Sequence, residues 1–101
     1  MTDTTAAEAF EQRIATPQGC SAYLNDQLQS AEPRRVITAA GHLIVAKGLG
    51  QVAHAAGIAR AKLYRHYVEA DEATLDSFLT ILDALGMQLA VVPKENETIQ
   101  R

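Results

Sequence analysis

Ala53, Gly57, Ile58 and Leu63 set the tightest constraint on this chain. A small side chain, a glycine four residues on, an apolar residue directly after it and another five later is the spacing of two short helices joined by a tight turn. Ala53 lets the helices approach closely. Gly57 suits a turn that needs positive φ. Ile58 closes the core after the turn, and Leu63 anchors the second helix on the first. The pattern predicts a helix over 51–56, a turn at Gly57, Ile58 and Ala59, and a second helix from Arg60 to about 68 with Leu63 and Tyr67 facing inward.

The rest of the chain reads mainly as helix around this unit. Thr16-Pro17 has the form of an N-cap followed by a first-turn proline, and Tyr23, Leu24 and Leu28 recur at helical spacing, so a helix is expected over about 18–30. Pro33 opens another, over 33–47, with Val36, Ile37, Ala40, Leu43 and Ile44 on one stripe. Leu75, Phe78, Leu79, Leu82 and Leu85 mark the clearest amphipathic helix, and Gly86 suits its C-terminal turn. Met87, Leu89 and Val91 then alternate with Gln88, Ala90 and Val92 up to Pro93, which predicts a short β-strand over 87–92. A lone strand leaves its backbone groups unmet, so pairing with a second copy of the chain or with another protein is expected. The expectation is an all-α domain of about five helices with one C-terminal strand. A flexible arm over 1–15, the domain over 16–93 and a flexible tail over 94–101 complete the organisation.

With 101 residues there is room for one core and not for two. Five aromatics and no Trp make that core aliphatic. No apolar run is long enough to cross a membrane, and the N-terminus lacks the basic and apolar stretches of a signal peptide. One cysteine forms no internal disulfide, so a reduced, cytoplasmic protein is expected.

Net charge is −3, but the average hides a division. Residues 33–68 hold no Asp or Glu, and they hold six cations: Arg34, Arg35, Lys47, Arg60, Lys62 and Arg65. Three of the nine cations and all twelve carboxylates lie elsewhere, so the window is +6 and the remainder −9. Such a segment can attract phosphate although the whole chain is acidic. It could equally face the acidic helices of its own fold.

In a helix-turn-helix the second helix enters the DNA major groove. The residues away from Leu63 and Tyr67 are then Arg60, Ala61, Tyr64 and Arg65, with Lys62 leaning toward the backbone. An arginine can pair with guanine O6 and N7 together, worth roughly 1–3 kcal/mol of discrimination. Gln51, near the start of the first helix, is placed to hold a phosphate with the help of the helix dipole. Arg34, Arg35 and Lys47 could add attraction at longer range.

Other chemistry finds little support. His42, His54 and His66 are twelve residues apart on three predicted helices, which is not the spacing of a zinc site, so no metal or cofactor is expected. Cys20 has no base beside it in sequence. Asp76 and Asp83 read as the solvated side of a helix. Gly48-Leu-Gly50 lacks the Lys-Ser/Thr of a phosphate-binding loop. The chain is therefore not expected to be an enzyme.

Several stretches also resemble a known family. They are Ala22-Tyr-Leu-Asn-Asp, Glu32-Pro, Lys47-Gly-Leu-Gly-Gln-Val-Ala, Gly57-Ile-Ala-Arg, Leu63-Tyr-Arg and Leu82-Asp-Ala-Leu-Gly-Met-Gln-Leu-Ala-Val-Val-Pro. Together they are similar to the addiction module antidote proteins, small antitoxins akin to HigA with a lambda-repressor-like helix-turn-helix, over about residues 15–93. The resemblance implies an antitoxin that neutralises a RelE/ParE-like toxin and represses its own operon by binding operator DNA as a dimer; the unpaired 87–92 strand is the expected dimer contact. Gly50 and Ala59 stand where the family carries Ser or Thr, which reads as two lost N-caps. His66 replaces a usually apolar residue, and the loop at 70–73 lacks the family's Gly-Asn-Pro-like turn. The other expectation is a pure protein-interaction module, its helix-turn-helix degenerate and weak on DNA.

Overall fold

Proline, threonine and glycine punctuate the chain, and the helices begin and end where they stand. The computed structural model describes residues 6–30, 32–69 and 72–94. Among these residues six α-helices follow one another: α1 (Ala6–Arg13), α2 (Pro17–Leu28), α3 (Pro33–Lys47), α4 (Leu49–Ala56), α5 (Arg60–Tyr64) and α6 (Leu75–Ala84). A single π-helical turn, Arg65–Glu69, continues α5. No single helix among the described residues is long and apolar enough to cross a membrane.

The caps explain the boundaries. Thr16 is extended at φ −121° and accepts the Gly19 amide on its hydroxyl at 3.1 Å, with Pro17 in the first turn of α2. At α6, Thr74 accepts the Ser77 amide at 3.1 Å while the Ser77 hydroxyl accepts the Thr74 amide at 3.4 Å, a reciprocal cap. The far end of α6 closes with Met87 N–H donating to Leu82 C=O at 2.8 Å and Gly86 N–H to Asp83 C=O at 3.0 Å, the pairing of a Schellman turn. α4 ends the same way: Ile58 N–H donates to Ala53 C=O at 3.0 Å and Gly57 N–H to His54 C=O at 3.2 Å. There Gly57 takes φ +70°, the left-handed conformation the sequence pattern required.

α3 is the spine. Its Ala40 and Ile44 join Val52, Ala53, Leu63, Tyr67 and Ile81 in one buried cluster. Its Ala39 and Leu43 join Ile14, Cys20, Leu24 and Leu82 in a second. Phe78 and Leu85 of α6 pack against both. Between α3 and α4 the chain bends by 105°. The bend sets α4, and with it the turn and α5, across one side of the spine.

Two expectations need correcting. Residues 87–94 form no strand among the described residues. Beyond the Met87–Leu82 bond no backbone–backbone bond forms in this segment, and Val91 and Val92 are 96% and 74% exposed. The alternation is real, but no described segment offers an edge on which to pair, and a strand exists only by pairing. Within the arm expected over 1–15, α1 occupies Ala6–Arg13. Phe10 meets the Tyr23 ring edge-on at 5.0 Å, Arg13 lies over that ring and bonds Asp26 at 2.7 Å, and Ile14 is buried beneath. Residues 1–5 and 95–101 of the expected arm and tail lie outside the described residues. Lastly, Gly50 is not a cap. α4 starts two residues earlier than expected, at Leu49, with Gly48 at its N-cap, and Gly50 lies exposed in the first turn.

Candidate nucleic-acid interface

α4, the turn through Gly57, Ile58 and Ala59, and α5 are held from below by apolar anchors. Val52, Ala53 and Leu63 are each at most 5% exposed, and Ile58 packs against the same cluster. With Leu63 and Tyr67 fixed inward, helical periodicity dictates what turns outward. Ala61 and Arg65, one turn apart, point furthest from the core. Lys62 and Tyr64 flank them on either side, while Arg60, three residues before Leu63, lies on the Leu63 side of the helix at its exposed first position. All five are exposed. The structure thus leaves the expected residues of the second helix exposed.

Their electrostatic setting is simple. Arg60, Lys62 and Arg65 make no ion pair or hydrogen bond among the described residues. Among the described residues no carboxylate comes within ion-pairing distance of these three. Glu69, at the far end of the π-helical turn, is the one carboxylate on this helical segment. Gln51 is exposed in the first turn of α4, where the amides of Leu49, Gly50 and Gln51 precede the first intrahelical bond, from Val52 N–H to Gly48 C=O at 2.9 Å. Amides at a helix start are donors that can hold an anion such as a phosphate. At α5 the N-cap is Ala59, and it supplies no side-chain bond, in line with the lost cap read from the sequence.

Sequence reasoning missed how this helix is braced. The backbone of Gly41, buried within α3, runs so close to the π-helical turn that a Cβ there would overlap the Tyr67 carbonyl oxygen. The Tyr67 hydroxyl reaches Ser77 Oγ at 2.7 Å. Ser77 Oγ–H already points to the Thr74 carbonyl at 3.1 Å, so Tyr67 donates and Ser77 accepts. Burial pushes the Tyr67 phenol above its ordinary range, partly offset by the Ser77 bond. A glycine inside a helical stripe was the available signal for the close approach. Nothing in the spacing of Tyr67 and Ser77 announced their bond.

A second feature also escaped the sequence. Leu28, Pro33, Val36, Ile37, Leu75, Phe78 and Leu89 line an apolar groove of about 470 Å³ between α2, α3 and α6. None of Gln51, Arg60, Ala61, Lys62, Tyr64 or Arg65 touches it. Leu75, read from its spacing as part of the inward stripe of α6, is 65% exposed at this groove. The three histidines stay apart; His42 Nδ1 pairs with the Tyr23 hydroxyl at 3.1 Å. Among the described residues no three His, Cys, Asp or Glu side chains gather as a metal site would require.

Comparison with known proteins bears on the whole of this arrangement. A family model described as "Probable addiction module antidote protein" matches residues 7–93, from α1 through the segment after α6. The chain belongs to this antidote family. An addiction-module antidote is the antitoxin half of a toxin–antitoxin pair, so a toxin is its partner in general terms. A protein of Haemophilus influenzae described as uncharacterized is 26% identical over 80 residues, spanning 79% of this chain and 82% of that protein. No solved structure matches the chain significantly.

Proposed function

We propose that this antitoxin is also a DNA-binding repressor. It neutralises a toxin of the RelE/ParE type and shuts down its own operon by laying α5 into the major groove of operator DNA. The observation that carries the reading is three cations, Arg60, Lys62 and Arg65, exposed and without ion-pair partners among the described residues, on the second helix of a turn-linked pair. Arg60 and Arg65 read base edges, Lys62 and Gln51 hold phosphates, and Ala61 and Tyr64 supply apolar contact to bases. Two subunits bind half-sites about 34 Å apart, one turn of duplex, so a two-fold dimer is the working form. The protein acts by binding, in the cytoplasm, without catalysis.

Anisotropy titration of the duplex upstream of the gene tests this. The native chain is expected to bind it with an affinity that falls steeply with salt, because phosphate contacts release counterions. Replacing Arg60 and Arg65 together by Ala should abolish DNA binding and spare toxin binding. Loss of both activities, or of neither, contradicts the assignment. A second reading, a protein-interaction module with a vestigial DNA helix, draws on the apolar groove and on the exposed Val91 and Val92. Under it the Arg60/Arg65 variant would behave as the native chain in every assay, while Leu75→Asp would lose the toxin.

A further inference from the structure

Three independent contacts converge on Tyr67. Its ring is 3% exposed in the cluster with Leu63, Val52 and Ile81. Its carbonyl sits against the bare Cα of Gly41 on α3, and its hydroxyl donates to Ser77 in the cap of α6. Tyr67 is also the middle residue of the π-helical turn Arg65–Glu69, which prolongs the helix bearing Arg60, Lys62 and Arg65. A π-turn has poorer hydrogen-bond geometry than an α-turn and survives where its surroundings impose it, often at functional positions. Here the surroundings are named: the chain widens between Tyr64 and Glu69 so that one residue can reach α3 with its backbone and α6 with its side chain at once.

We propose that Tyr67 is a positioning residue for base readout: held by Gly41 and Ser77, it fixes the tilt and rotation of α5 against α3 and α6, and so the planes in which Arg60 and Arg65 are offered. The proposal rests on the DNA-binding reading above. It follows from how the two kinds of DNA contact differ. A bidentate arginine–guanine pair needs the guanidinium at the right distance and in the right plane. A phosphate contact needs only a cation nearby. Loosening the brace therefore costs sequence discrimination while leaving sequence-independent affinity in place.

The test compares native protein with Tyr67→Phe, Gly41→Ala, Ser77→Ala and Ser77→Thr. Each is titrated on the duplex upstream of the gene and on random duplex of equal length, with a melting temperature for each variant. Tyr67→Phe keeps the buried ring and loses the Ser77 bond. Gly41→Ala raises the helix propensity of α3 and pushes the Tyr67 carbonyl away. Both are expected to bind the upstream duplex about tenfold more weakly, the equivalent of one degraded bidentate contact, with random-duplex affinity unchanged. Ser77→Ala should behave likewise, and Ser77→Thr, which restores the acceptor, should recover native discrimination. If Tyr67→Phe and Gly41→Ala bind the upstream duplex as the native chain does, the proposal is overturned. It is also overturned if they lose both duplexes in step with a lowered melting temperature, because Tyr67 would then be a structural residue alone. A native chain that does not distinguish the two duplexes at all sinks the DNA-binding reading itself, a separate result.

Discussion

Ala59 opens α5 without offering an acceptor to the amides of Ala61 and Lys62, whereas Thr74 does this service for α6. The two helix starts thus form an internal comparison, one capped and one not. Restoring a hydroxyl with Ala59→Ser should stabilise the fold by about 1 kcal/mol, the usual worth of an N-cap serine over alanine. For a domain of this size that raises the melting temperature by about 4–8 °C, which calorimetry resolves. An unchanged melting temperature would mean that solvent already satisfies those amides as well as a side chain could. Ala59 also shows how far single residues were legible. Its place before Arg60 followed from the spacing of Gly57 and Leu63, and it is the cap position found. Gly50 was read as a lost cap from the family resemblance and missed by two residues, because the 105° bend at Gly48 starts α4 earlier than its polar residues suggest.

Whole elements were legible where proline, threonine or glycine punctuated an apolar stripe, as in α2, α3 and α6. They were not where docking depends on one atom. α1 looked like a polar arm because Phe10 is its only large apolar residue, yet Ile14, just past its end, lies four residues on along the same face, and that face packs on α2. What lets it approach is Gly19: a Cβ there would overlap the Arg13 carbonyl oxygen. Gly19→Ala should therefore add helix propensity to α2 and still destabilise the molecule, by roughly 1–3 kcal/mol for an overpacked contact. Hydrogen exchange locates the damage, with the Ile14 amide, bonded to Phe10 C=O at 3.0 Å in the native chain, losing protection before any amide of α3. A stabilised Gly19→Ala would show that α1 does not need this close approach. The 87–92 segment failed for the opposite reason. Its alternation is local and was read correctly, but a strand is a property of two segments, and none of the described residues supplies the second.

At the scale of the whole molecule, the division of charge sets how DNA is approached. The Arg60–Arg65 surface belongs to a window of +6, while the remaining −9 lies outside that window and includes Glu69 on the π-helical turn and the exposed Glu72 and Asp83 at either end of α6. At about 0.1 M salt the Debye length is about 10 Å, so DNA lying on α5 senses the nearby cations and little else. At about 0.01 M it is about 30 Å, longer than the molecule's shortest extent of 23 Å. The carboxylates then repel the same phosphates that the arginines attract. A plot of log affinity against log salt should accordingly run straight at moderate salt, where counterion release governs it, and flatten as salt is lowered. Glu72→Gln with Asp83→Asn removes two of these charges without weakening the helix. Glu72 precedes α6, and an anion at Asp83 near its C-terminus opposes the helix dipole in the native chain. This double variant should match the native protein at 0.1 M, keep a straight line to lower salt, and bind more tightly there. Superimposable curves for the two proteins across the whole range would mean that the acidic remainder is electrostatically silent, and that the −3 net charge describes nothing the DNA experiences.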